Sequence, residues 1–355
     1  MTIPISKNNK QIAIWLITGC ILVATMVIIG GITRLTHSGL SMVTWKPVTG
    51  MIPPLNELEW EAEFSKYKTS PEYIKKNYHF SLAEFKDIFF WEYLHRLIGR
   101  IIGFVFLFPF IYFLIKKKIK TKKLRNNLIV IFILGGLQGF VGWYMVKSGL
   151  VDNPNVSHYR LAIHLVLALF LFSYIYLVAL KLLYPNKDTA TRKTHKIFKF
   201  TRVLLLLTTL QIIYGAFVAG LKAGKFFPTY PKMGTEWMPK IMSESLSDYG
   251  LIALIDDPFI IQFIHRWIAV LVLGIVIYIF VMTRKSFITL YQKRAIWFLF
   301  IGISIQFLLG VFTILYSVPV VLGVLHQFGA LVFLTSVLTT LYFFKSSNNN
   351  DLIAS

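Results

Sequence analysis

Four histidines, His95, His164, His265 and His326, stand inside runs of apolar residues. Two of them share a local pattern, Glu92-x-x-His95-Arg96 and Gln262-x-x-His265-Arg266. A spacing of three puts the acid or amide on the same helical face as its histidine. Ionisable groups within a membrane are expensive, so they are functional candidates by default. Two imidazoles, one from each of two facing helices, are what a haem iron takes as axial ligands. An arginine beside such a ligand suits a haem propionate. A bare copper or iron ion would want three or more converging ligands, often with carboxylate or sulfur. The residues therefore read as two haem sites, His95 with His164 and His265 with His326, with Arg96 and Arg266 set for propionates. The bland alternative for any single histidine is a hydrogen bond to a neighbouring helix.

The two local patterns differ in one atom type. A carboxyl can exchange a proton and an amide cannot. The Glu92 half is therefore expected to be reactive, and the Gln262 half to hold a stable electron-transfer haem. The plainer reading of Glu92 is an ion pair with Arg96 or with a loop cation.

These groups need helices to carry them. The chain has 355 residues, 56% of them hydrophobic, above the 45–50% or so usual for soluble domains. Apolar runs of about 20 residues, enough to cross a membrane, are expected at 11–33, 88–115, 126–146, 161–180, 203–221, 258–283, 295–316 and 320–344. Ser317-Val-Pro319 separates the last two. The net charge of +21 would suit nucleic acid were it not gathered in short loops. Lys116–Arg125 alone holds seven basic residues and no acid. That is the pattern of cytoplasmic loops, and no nucleic-acid partner is expected. The single Cys20 excludes chemistry by a thiol pair. Ten residues precede the first span, and no cleavable signal or transit peptide is read there.

Eight spans put both termini on one side. The basic loops share that side, and the long polar segments 36–87 and 222–257 face outward. Within 36–87, Glu57–Lys68 reads as a short amphipathic helix at the interface. Trp45, Trp91, Trp143 and Trp267 suit an interfacial belt. His79, His158 and His195 read as solvated loop residues.

The layout also repeats. Each half has a long outer loop after its first span, His-Arg in its second and a further His in its fourth, so the halves run parallel. Gln-x-x-x-Gly recurs at Gln138–Gly142, Gln211–Gly215 and Gln306–Gly310 and reads as a packing device. The expected architecture is an all-α membrane protein of eight transmembrane helices in two pseudo-symmetric four-helix bundles. By segment, 1–125 carries spans 1–2 with the outer loop, 126–190 carries spans 3–4, and 191–355 carries spans 5–8.

Four stretches carry a family resemblance: GGITRLTHSGLSMVTWKPVTGMIPP (Gly30–Pro54), WEAEFSKYKTSPEY (Trp60–Tyr73), WEYLHRLIGR (Trp91–Arg100) and SHYRLAIHL (Ser157–Leu165). The chain resembles the haem A synthase family along its whole length, in its mitochondrial and alphaproteobacterial branch. The loop cysteine pair of another branch is missing. The resemblance implies oxidation of the C8 methyl of haem O to a formyl group, by successive hydroxylations and loss of water, giving haem A for terminal oxidases. It implies that His95 and His164 flank the substrate haem, that His265 and His326 ligate a haem b cofactor, and that Glu92 is catalytic. It places the chain in a bacterial inner membrane, with haem sites toward the outer face. Handover with haem O synthase or oxidase assembly factors, lipid contact and a homo-oligomer are compatible with it. The residues by themselves also admit a di-haem b-type electron-transfer cytochrome or a non-catalytic haem carrier. His37 and His158 receive no role.

Overall fold

The computed structural model describes residues 6–44, 49–151, 154–185, 192–284 and 286–345. Trp45 of the expected belt lies outside them. The eight membrane-length helices are α1 (Lys7–Leu35), α3 (Leu82–Ile115), α4 (Lys122–Gly149), α5 (His158–Leu183), α6 (Arg192–Gly220), α9 (Pro258–Arg284), α10 (Leu290–Leu315) and α11 (Val320–Phe344). Three shorter helices lie in the long loops: α2 (Glu57–Lys68), α7 (Lys240–Tyr249) and α8 (Ala253–Asp256).

Local chemistry explains where the helices start. Ser81 and Glu84 form a reciprocal capping box that begins α3 six residues before the apolar run. Thr289 and Gln292 do the same for α10. Asp257 Oδ1 accepts the Phe259 and Ile260 amides at 2.9 Å each, which caps α9 behind its leading proline. The α10–α11 break is a tight turn in which Ser317 and Val318 both adopt positive φ.

The packing joins helices in two rings of four. α1 packs on α3, α3 on α4, α4 on α5 and α5 on α1. In the same order α6, α9, α10 and α11 close the second ring. α1 meets α11, and α5 meets both α6 and α11, so the halves share one wall. α11 serves both cores, with Leu331, Leu334 and Leu338 turned to the first and Phe333 and Val337 to the second. The first ring is the more uneven, with α1 and α5 at 44% and 33% buried. Only 6% of the apolar window of α3 or α4 is buried, against 28% for α9 and 22% for α10.

α2 puts its apolar side on its own chain. Trp60, Phe64 and Tyr67 pack against Phe85, Ile88 and Phe89 of α3, so the outer loop is docked on the helix that carries Glu92 and His95. His158 corrects its reading as a solvated loop residue. It opens α5, is buried, and its Nε2 lies 2.9 Å from Ile255 O and 3.2 Å from Asp256 Oδ1. The adjacent Tyr159 hydroxyl donates to Asp256 at 2.7 Å. With Arg34 donating to Ala219 O and Gly220 O, these bonds fasten the two halves at the end bearing the long loops. His37 and His79 are exposed, as is His195 on α6.

Candidate functional site: two histidine pairs on glycine seats

His164, His265 and His326 come six, seven and six residues after the first residues of α5, α9 and α11 (158, 258 and 320), and His95 thirteen after that of α3 (82). Each is half-buried. Each ring rests on a glycine of the preceding long helix. A Cβ built on Gly30 would come 3.4 Å from His95, on Gly142 2.8 Å from His164, on Gly215 3.1 Å from His265 and on Gly310 2.9 Å from His326. Contacts below about 3 Å leave no room for a methyl group, so an alanine at Gly142 or Gly310 would push the histidine ring from its place.

The His265 and His326 ring centroids are 6.4 Å apart. An iron–nitrogen bond of about 2 Å and about 1.1 Å from nitrogen to ring centre, taken on both sides, come to about 6.2 Å. The second pair therefore fits an iron held between two imidazoles. His265 Nδ1 is buried with no hydrogen-bond partner among the described residues, as expected of a ring that lacks its companion group. Among the described residues no three His, Cys, Asp or Glu side chains converge for a bare metal ion.

Around the histidines the two halves use the same frame. Arg96 donates to Met42 O (3.0 Å) and Thr44 O (3.3 Å) of the first outer loop. Arg266 donates to Phe227 O (2.6 Å), Thr229 O (2.7 Å) and Lys232 O (3.2 Å) of the second. Both guanidiniums thus anchor a loop over the site. Arg266 keeps a buried Nε–H without a partner among the described residues, a donor available for an anion.

Glu92 is 3% exposed and accepts three hydrogen bonds. Oε1 takes Arg96 Nη2 at 2.6 Å, and Oε2 takes the Ser41 hydroxyl at 2.7 Å and the Met42 amide at 2.9 Å. The ion pair with Arg96, the plainer of the two readings of Glu92, is present. The carboxylate is also bonded to a hydroxyl, and the Ser41 Oγ lies within 3.2 Å of Ser38 O as an alternative acceptor. Gln262, at the matching turn of α9, donates to Phe227 O at 3.3 Å and has a buried Oε1 without a partner among the described residues.

The Gln-x-x-x-Gly repeats, read as packing, do more. Their glycines are three of the four seats. Their glutamines reach the same histidines: Gln138 Nε2 lies 3.1 Å from His164 Nδ1, Gln306 Nε2 lies 3.2 Å from His326 Nδ1, and Gln211 Nε2 lies 3.3 Å from His265 Nε2. Gln138 and Gln306 also donate to the backbone carbonyl of the histidine they hold. The recurrence of the motif was the available signal, and only the helix register reveals its target. Between the pairs, Gln327 follows His326, donates to Val27 O at 2.9 Å and lies against Gly31, next to the seat of His95.

One more carboxyl lies under the first outer loop. Glu72 is buried and accepts from the Tyr67 hydroxyl at 3.3 Å, which in turn accepts from Asn77 at 2.8 Å. Burial, with the charge of Glu92 adding to it, pushes its carboxyl up to about 7 against the opposing pull of Tyr67 and Lys76.

The sequence matches a family profile described as "COX15-CtaA: Cytochrome oxidase assembly protein" over residues 13–338. It is 48% identical over 343 residues to the heme A synthase of Flavobacterium psychrophilum, covering 96% of this chain and 99% of that one. It is 46% identical to the heme A synthase of Flavobacterium johnsoniae, covering 95% and 98%. It is 43% identical to that of Nitrosospira multiformis, covering 93% and 92%.

Proposed function

The chain belongs to the COX15-CtaA family of cytochrome oxidase assembly proteins, and from that premise we propose how its two histidine pairs divide one reaction. Near-full-length identity to several heme A synthases gives the activity: a multi-pass membrane oxidoreductase that converts haem O to haem A. Neither a purely electron-carrying cytochrome nor a haem carrier agrees with those relatives.

In this reading His95 and His164 hold haem O, and His265 and His326 hold a haem b. The observation that carries it is the pairing itself, four histidines each seated on a glycine, with the second pair spaced for a metal between its rings. When bound, haem b supplies one-electron transfer. The protein's own groups do the rest. The glycines fix ring depth. Arg96 and Arg266 hold the outer loops down and offer remaining donors to propionates. Glu92 handles the proton beside the reacting haem, and the Ser41 hydroxyl, which donates to its Oε2, orients the carboxylate. Gln262 cannot do this, which leaves the second half to electron transfer.

The remaining assignments follow the same reading. The halves are a parallel repeat, supported by the identical order of helix contacts in each ring. The protein sits in the inner membrane of a bacterium with basic loops and termini cytoplasmic and histidines toward the outer face, supported by the charge distribution. Haem O synthase or oxidase assembly factors are the proposed partners for handover, and lipid surrounds the spans.

The test is Glu92→Gln, which gives the first half the amide of the second. Formation of the formyl product is expected to fall by about 10²-fold or more, with the haem content of the purified protein retained. A normal rate of haem A formation by this variant would remove Glu92 from the proton role.

A further inference from the structure

Three of the four histidines are gripped from the preceding helix by an amide placed four residues before the glycine seat. The fourth seat is Gly30, and four residues before it stands Met26. The Met26 methyl lies by Gly99 of α3, one turn beyond His95, at 3.7 Å from a Cβ built there. Met26 holds the sequence position that the glutamines hold elsewhere, and it has no hydrogen-bond donor. Among the described residues no side chain or carbonyl is bonded to the His95 ring. The helix carrying it is the less buried of its kind, with 6% of its apolar window buried against 28% for α9.

We propose that Gln138, Gln211 and Gln306 are positioning residues that lock their histidines, and that Met26 leaves His95 free to turn, making it the exchangeable ligand of the substrate site. The physical basis is general. A metal-bound imidazole is fixed in tautomer and orientation by a partner on its other nitrogen, and loss of that partner weakens the ligand. The glutamine amide can serve a ring in either role, because in all three cases its Oε1 is buried with no partner among the described residues and a half-turn of the amide exchanges donor for acceptor. A resident cofactor needs two held ligands. A haem that must arrive, react and leave needs one held ligand, His164, and one that yields, His95. The inference rests on assigning the first pair to the substrate.

Carbon monoxide tests it, since it binds a reduced haem only where an axial ligand gives way. The protein is purified with its haems, reduced, and mixed with carbon monoxide while the Soret band is followed. Wild type should show one reactive haem, and His164→Ala, by altering that signal and leaving the other haem unchanged, should assign it to the first half. Met26→Gln should slow its reaction by about tenfold or more, whereas Met26→Leu should react as wild type does. Gln306→Met should open the second half and create a second reactive haem. Haem content and the unreacted spectrum check that the Met26 and Gln306 variants are folded, and retained haem b checks His164→Ala. Met26→Gln that is folded and reacts at the wild-type rate overturns the clamp, with the assignment of the pairs intact. A reactive signal unchanged by His164→Ala, but lost in His265→Ala, overturns the assignment of the pairs and with it this inference.

Discussion

In the first half the turn before His95 carries Glu92, bonded to Arg96, Ser41 and the Met42 amide, and the helix behind His95 offers Met26. In the second half the turn before His265 carries Gln262, bonded to a loop carbonyl, and the helix behind His265 offers Gln211. The glycine seats, the arginine anchors and the order of helix contacts are otherwise alike. The comparison separates what a haem site of this design needs in general from what one of the two sites needs in particular. Seats and anchors belong to binding. In the proposed reading, the carboxylate, the missing amide and the less buried α3–α4 side mark the half that turns over its ligand.

The sharpest way to break the equivalence of the seats is to fill them. Gly142→Ala and Gly310→Ala each force a methyl against a histidine ring at 2.8 and 2.9 Å. Each should weaken haem in its own half by about 10–100-fold and leave the other half's spectrum unchanged, read by haem titration and difference spectra. Loss from both halves would mean that the halves do not fold independently around their sites.

The anchors should differ by less. Arg266→Lys surrenders the planar fork that reaches three carbonyls, at about 2–4 kcal/mol of loop docking. Arg96→Lys gives up two carbonyls and the Glu92 pair and should cost a similar amount while also disturbing Glu92. Thermal melting and limited proteolysis of the outer loops would measure both. Equal effects on product formation would show that disturbing the Glu92 pair has no consequence for the reaction.

The smallest effect is confined to the first outer loop. The Glu72 carboxyl titrates at about 7 when docked and near its ordinary 4.5 when released. Between those values the docked loop binds more protons than the free one, so docking weakens as pH rises from about 4.5 to about 7 and is level outside that window. Hydrogen exchange over 57–80 should follow this slope, and Glu72→Gln should flatten it. The second loop should show no such slope from this group.

Much of this was legible before the structure. Apolar runs gave eight spans, and α2 begins and ends as its charges and aromatics indicated. The four histidines stood out because polar groups in such runs have few other uses. What escaped depends on facing and register. Gln138, Gln211 and Gln306 looked like packing because sequence cannot say which side chain on the next helix an amide will meet. Arg96 and Arg266 hold loop carbonyls, and backbone acceptors leave no trace in a sequence. His158 looked solvated because the helix start at Ser157 lacked an acidic or capping-box signal, so the chain there read as loop.

The central claim is that the first histidine pair takes the substrate and the second the cofactor. The direct measurement is extraction of the haems from His164→Ala and His326→Ala proteins, purified from cells that make haem O, with identification by chromatography and mass spectrometry. The account predicts that His164→Ala keeps haem b and loses haem O and its oxidised products, and that His326→Ala loses haem b. Haem b lost from His164→Ala and kept in His326→Ala would contradict it.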